Sequence, residues 1–156
     1  MKITLLVVGK TTDAHIEALL QDYQKRLVHY VPFNIIVIPE LKKTKSLTSE
    51  QQEQAEGELI LRQITPATDM ILLDERGKEY RSIEYADYLQ KKMSSGRDVV
   101  FVVGGPYGFS QAVYERANGK ISLSKMTFSH QMVRLFFVEQ IYRAMTILRG
   151  EPYHHE

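Results

Sequence analysis

Four short runs of branched and leucine-rich residues, spaced along the chain and separated by helical periodicities, restrict its possible folds more than any other feature. Ile3-Thr-Leu-Leu-Val-Val8 runs without a break to Gly9, the pattern of a strand covered on both faces. Phe33 to Ile38 is bracketed by Pro32 and Pro39. Met70 to Asp74 exits through Glu75-Arg-Gly77, and Val99 to Val103 breaks at Gly104-Gly-Pro-Tyr-Gly108. Lys120 to Leu123 reads as a weaker fifth strand. Between them lie amphipathic stretches. Asp13 caps a helix with Ile16, Leu19, Leu20, Tyr23 and Leu27 on one stripe. A second helix starts near Thr48 or Ser49, carries Glu50 and Glu53 early, and runs to about Ile64 before Pro66. Ser82 caps a third with core positions Ile83, Ala86, Leu89 and Met93, ending at Gly96. Ser110 caps a short one to about Ala117. The last spans about His130 to Leu148 and stops at Gly150, with Val133, Phe137, Ile141, Met145 and Leu148 as its core stripe.

Such alternation predicts an α/β fold of three layers, a parallel sheet with helices on both faces. Ligands then belong at the carboxyl ends of the strands. Neither a repeat nor a linker interrupts residues 1–156, so one domain is expected. With 44% apolar and 25% charged residues, a packed core and a solvated surface are both available. The chain has no cysteine, which excludes disulfides, thiolate metal sites and cysteine nucleophiles. The run from Ile3 is too short for a signal sequence or a membrane span, so a cytoplasmic protein without a membrane partner is expected.

Net charge is +1, against a non-specific nucleic-acid binder, but its distribution is uneven. From Arg116 to Arg149 there are six basic residues and one acid, Glu139. The polar loop from Glu40 to Ser49 adds Lys42, Lys43 and Lys45. Both read equally well as solvated faces.

Three stretches have the residue types for chemistry. Gly104-Gly-Pro-Tyr-Gly108 follows the most apolar strand, where glycine lets a ligand approach the backbone. It is neither G-x-G-x-x-G nor a Walker loop, so the common dinucleotide and triphosphate fingerprints fail; a plain tight turn is the alternative. Ile121 to His130 mixes hydroxyls, apolar groups and unpaired backbone. It can wrap an adenine, with Leu123, Met126 and Phe128 packing on the ring, or it can be a strand, a turn and a cap by Ser129. The last helix and tail carry His130, Arg134, Arg143, Tyr153, His154 and His155. His130 and Arg134 are four apart and predicted to share a face; Arg143 can simply pair with Glu139. No acidic or histidine partner stands at helical spacing from the terminal histidines, so no metal is expected.

Taken together, these segments carry a resemblance. The start Met1-Lys-Ile-Thr-Leu, the exit Val103-Gly-Gly-Pro-Tyr-Gly108, the stretch Leu123-Ser-Lys-Met-Thr-Phe-Ser-His130, the helix from Arg134 to Arg143 and the ending Pro152-Tyr-His154 resemble the ribosomal RNA large subunit methyltransferase H family. This is a SPOUT-class family of S-adenosylmethionine-dependent enzymes, and the likeness spans the whole chain in order. It implies a parallel sheet of five or six strands whose C-terminal part is threaded into a deep trefoil knot, which no local pattern reveals. It implies methylation of N3 of a pseudouridine in 23S rRNA on the assembled ribosome, by a homodimer. By position, Leu73, Gly104, Leu123, Ser124, Lys125, Met126, Thr127 and Phe128 are implied to line the cofactor pocket, with Gly105 as a neighbour. His130, Arg143, Tyr153 and His154 are the candidates for handling the imide proton or its charge. Arg143 is expected to stabilise the developing imidate while the Tyr153-His154 tail docks on the partner's pocket. Where many relatives end in arginine or lysine this sequence has His155, so the tail's contribution to RNA charge stays open. A SPOUT enzyme acting on tRNA, a non-catalytic RNA-binding assembly factor and a nucleotide-binding doubly wound domain are the competing readings.

Overall fold

A computed structural model describes residues 1–42 and 44–155. Among these, five strands form one all-parallel sheet in the order β2-β1-β4-β3-β5. The strands are β1 (Ile3–Val8), β2 (Phe33–Ile38), β3 (Asp69–Glu79), β4 (Val99–Val103) and β5 (Gly119–Ser122). The helices are α1 (Ala14–Leu27), α2 (Ser49–Leu61), α3 (Ser82–Ser94), α4 (Gln111–Arg116) and α5 (Met132–Leu148), with a single 3-10 turn at Thr44–Ser46. None of the described helices is long and apolar enough to cross a membrane.

The pleat sends alternate residues to opposite faces, and each face is covered. Leu5 and Val7 of β1, Phe101 of β4 and Ile71 of β3 pack against Leu20 and Leu27 of α1, Leu89 of α3, and Phe137 and Ile141 of α5. Leu6, Val102 and Leu72 face the other way, onto Ile60 of α2 and Val113 of α4. Each such fully buried side chain stabilises the fold by roughly 1.5–3 kcal/mol relative to exposure. The expected three-layer arrangement is therefore present, with α1, α3 and α5 on one side and α2 and α4 on the other.

Local signals set most boundaries. Asp13 Oδ1 accepts from the amides of His15 and Ile16 at 2.9 and 3.1 Å, satisfying two open donors of α1. Thr48 and Gln51 form a reciprocal capping box at α2, and Ser110 Oγ accepts from Val113 N. Other expectations need correction. Leu19 and Ile83 are exposed, and the third helix buries Tyr85 instead of Ile83. Ser82 is the first helical residue of α3 rather than its cap, and α2 ends at Leu61, short of Ile64.

The third strand does not stop at Asp74. It continues to Glu79 across a register shift between Leu73 and Lys78, after which Lys78 and Glu79 pair with Ile121 and Ser122. Gly77 makes this possible. A Cβ there would stand 2.6–2.8 Å from the backbone of Ile121, so the close approach requires glycine.

The last helix starts at Met132, so His130 precedes it and does not share a helical face with Arg134. Arg134 points inward instead and is 3% exposed. Its Nη2 donates to Val8 O, and its Nη1 to Gly9 O and Thr11 Oγ1, at 2.8–3.0 Å. Gln131 adds a second tie, accepting from Thr12 N at 2.7 Å and donating to Lys10 O. Burial pulls the Arg134 pKa down, and Glu40 and Glu17 oppose that shift. β5 lies at the sheet edge, yet α5 packs against both α1 and α3 below the centre. Residues 123–131 must cross over the carboxyl ends of β3 and β4 to get there.

Replacing Arg134 by leucine removes charge-assisted bonds worth roughly 1.5–3 kcal/mol each when left unmade, though they do not add fully. We expect a loss of about 3 kcal/mol, read as a fall of roughly 6–12 °C in thermal denaturation.

Candidate functional site: a cleft at the carboxyl edge

The crossing loop closes over the strand exits and leaves a cleft of about 530 Å³. Its walls come from the end of β3 (Leu73, Asp74), the exit of β4 (Gly104, Gly105) and the loop after β5 (Leu123 to Phe128). This is where a parallel sheet collects ligands, because strand and helix ends leave main-chain groups unpaired there.

The β4 exit is held from below. Glu56 of α2 is 9% exposed, and its Oε1 accepts from Gly105 N at 2.8 Å. A Cβ on Gly105 would lie 2.3 Å from Glu56 Oε2, so any side chain there would push the carboxylate away from this position. Gly108, at φ +81°, donates its amide to Gly105 O and closes the turn. Burial raises the Glu56 pKa above the ordinary carboxylate value; the Gly105 amide opposes this, while Glu40 and Glu53 add to it.

The β3 exit is held from the side. Asp74 Oδ1 accepts from Arg76 N at 2.9 Å, and Asp74 Oδ2 accepts from the Tyr114 hydroxyl. Burial and then the bond to Asp74 push the Tyr114 pKa up to about 12, so it is a donor throughout the neutral range. Beyond β5, Ser122 Oγ donates to Ser124 O, and Ser124 Oγ accepts from Met126 N. These short bonds turn the loop and leave Met126 and Phe128 exposed at the mouth, 77% and 39%.

Of the residues singled out in the sequence, Leu73, Gly104, Gly105, Leu123, Ser124, Met126, Thr127, Phe128 and His130 line this one cleft. Lys125, in the same loop, is exposed and not among its lining residues. Arg143, Tyr153 and His154 are elsewhere. Arg143 Nη2 donates to Glu139 Oε1 at 2.7 Å, and the Tyr153 hydroxyl donates to the same oxygen at 2.9 Å. Arg143 Nη1 lies 3.1 Å from His154 Nδ1, and its guanidinium sits 4.9 Å from the Tyr153 ring centre. Tyr23 of α1 completes the group, its hydroxyl 3.0 Å from that of Tyr153. Burial, together with the bonds to Tyr23 and Glu139, raises the Tyr153 pKa. These three candidates form one network on the α1–α5 face, apart from the cleft within a single chain.

Sequence reasoning passed over Glu53, Asp74, Phe109 and Tyr114, which also line the cleft. Asp74 alone had a signal, as a polar residue ending an apolar strand. Nothing marked Glu56, because its role depends on the distance between α2 and the β4 exit.

Fold and cleft together define a parallel α/β protein with a candidate ligand site at the carboxyl ends of its strands. Comparison with known proteins narrows this. A family model described as predicted SPOUT methyltransferase matches residues 1–154. The chain is 60% identical to a ribosomal RNA large subunit methyltransferase H of Bacteroides thetaiotaomicron, over 100% of both chains. It is 59% identical to the Bacteroides fragilis protein of that name and 55% identical to the Flavobacterium psychrophilum one, again with full coverage of both. The chain belongs to the SPOUT methyltransferase family.

Two substitutions test the support under Gly105. Glu56→Ala leaves its buried amide without the carboxylate, and should cost about 1.5–3 kcal/mol in denaturant unfolding. Glu56→Gln keeps the acceptor and removes a buried charge. Because the folded pKa is raised, the native state holds the proton more tightly than the unfolded chain, and stability falls as pH rises through the window above the ordinary value. Glu56→Gln should therefore be more stable than the parent at pH 8, with the gain shrinking toward pH 4.5 in paired unfolding curves.

Proposed function

We propose that this protein is an S-adenosylmethionine-dependent methyltransferase that methylates N3 of a pseudouridine in 23S rRNA on the assembled ribosome, as a homodimer in the cytoplasm. The observation that supports this best is the convergence of Leu73, Gly104 and the Leu123–Phe128 loop on one cleft, in a chain matched along its length by relatives carrying the methyltransferase H name.

The cleft suits the cofactor. Its volume is within the roughly 300–1,000 Å³ of small-molecule sites. Leu73, Val103, Leu123 and Met126 provide apolar surface for an adenine, and peptide groups between them provide donors and acceptors. Glu53, Asp74 and Glu75 outnumber Arg76 on one side, giving it an acidic character favourable to a cationic ligand. The bound group supplies an electrophilic methyl on a sulfonium. The chain's own part is to hold the acceptor nitrogen in line with it and exclude water, since methyl transfer needs positioning more than functional groups. The deep trefoil knot of this reading is what membership of the SPOUT family implies.

The imide proton must leave N3, and the charge left on the base needs a nearby donor. His130 stands in the cleft of its own chain. The Arg143, Tyr153 and His154 network is assigned to the partner's cleft, reached across the dimer. Glu139 pre-orients Arg143, and a Tyr153 hydroxyl kept protonated remains a donor. Lys42 and Lys45 are assigned to RNA phosphates; Lys43, the third lysine of that loop, lies outside the described residues.

Mass mapping of ribosomal RNA after incubation of ribosomes with enzyme and labelled cofactor tests the reading: a single methylated pseudouridine in 23S rRNA is expected. Methylation of purified tRNA but not ribosomes would sink it. Arg143→Ala should lower turnover by about 100-fold while calorimetry finds cofactor affinity unchanged; equal loss of both would defeat the assignment. Charge reversal at Lys42 and Lys45 should weaken ribosome binding and flatten its salt dependence by about two phosphate contacts.

A further inference from the structure

A second cavity, of about 440 Å³, lies behind the cleft between α3, β5 and α5. Tyr80, Tyr85, Phe128, Phe136 and Gln140 line it, with Arg81 at the N-terminal end of α3. It shares Ser122, Leu123 and Phe128 with the first cleft, so the two are neighbours across a common wall.

Its lining is unusual in two respects. Phe136 is 39% exposed on α5 of the single chain, tilted against Phe128 with ring centres 5.3 Å apart, so its aromatic surface is not packed into the chain's own core. Tyr85 is 6% exposed, and its hydroxyl finds no hydrogen-bond partner among the described residues. A buried hydroxyl without a partner is destabilising unless something else supplies one. Cations stand beside this aromatic surface: Arg81 lines the cavity, and Lys78 Nζ lies 5.0 Å from the ring centre of Tyr80.

Aromatic faces, a waiting hydroxyl, an amide side chain and flanking cations are the set that recognises a nucleotide by stacking, edge hydrogen bonding and phosphate attraction. We propose that this cavity is a second base subsite, which takes an unpaired nucleobase of the substrate RNA next to the one being methylated. The inference rests on the RNA-methylating reading of the first cleft. The methylated base has to reach the methyl donor in that cleft. The occupant of the second cavity is therefore a different nucleotide of the same strand, and the Phe128 wall separates the two. Splaying two adjacent bases onto either side of one aromatic wall fixes the register of the strand and presents one imide edge to the donor.

The test uses the full-length protein with excess S-adenosylhomocysteine, which fills the first cleft, and uridine 5′-monophosphate as the probe, followed by NMR. Shifts are expected at Tyr85, Phe136 and Gln140; ribose 5-phosphate should not produce them. Phe136→Ala and Tyr85→Phe should each weaken binding of the probe by about fivefold or more. Both should raise KM for ribosomes with cofactor affinity preserved. Tyr85→Phe carries a further signature: removing the unpartnered hydroxyl should raise the thermal stability of the free protein while lowering nucleotide affinity, a combination that a purely structural tyrosine does not give. The proposal is overturned if the probe shifts map elsewhere, if neither variant changes its binding, or if Phe136→Ala alters the oligomeric state, which would make the cavity an interface between copies. Should the wild-type protein fail to methylate ribosomal RNA at all, the functional reading falls, and the nucleotide titration still decides the cavity.

Discussion

The guanidinium of Arg134 is the tie on which the arrangement depends. It joins the last helix to the carbonyls that end the first strand, 125 and 126 residues away in sequence. With that junction fixed, α5 must lie between α1 and α3, and the segment after β5 has no route to it except over the sheet's carboxyl edge. The crossing loop then becomes one wall of the cleft. A buried charge is expensive to desolvate, and this one is offset by three oxygen acceptors instead of a salt bridge. Its hydrogen bonds therefore carry geometric information: they require the strand end to stay where it is.

Much of the fold was legible because its signals are local. Unbroken apolar runs gave four of the strands to within a few residues, and capping residues gave most helix starts. The misreadings have physical causes. Glu75-Arg-Gly77 has the composition of a strand exit, but the bulge lets β3 resume pairing with β5, and the contact that requires Gly77 comes from Ile121, 44 positions on. Ile83 reads as core from its spacing, while the helix rotates Tyr85 inward because three tyrosines pack together on α3 and its entry. Arg134 looked like a surface cation beside His130. Its spacing of three and seven from Phe137 and Ile141 does place it on the buried stripe, a signal that its charge and the supposed pairing with His130 outweighed.

The site was legible in part, and only through resemblance for most of its residues. Glycines after a strand and a mixed hydroxyl–apolar loop are ambiguous on their own; the fold turns them into opposite walls of one cleft. What lay beyond sequence was the supporting layer. Glu56 and Tyr114 reach the strand ends from α2 and α4, whose positions depend on packing against the far face of the sheet. The Arg143, Tyr153 and His154 group stands ordered around Glu139 but away from the cleft of its own chain. That separation is why the proposed function assigns the group to the cleft of a second copy.

The β4 exit is presented through peptide groups, with Glu56 gripping Gly105 from beneath and no side chain at either glycine. A surface made of main chain is indifferent to most substitutions around it, since what it offers a ligand is the same for any residue that permits the turn. The rim is the opposite, built from the side chains of Met126, Phe128 and Phe136. On the proposed function, grip on the small molecule and choice of the large one rest on different chemistry, so a lineage with that function can retune which nucleic-acid surface it reads while its donor pocket stays as it was.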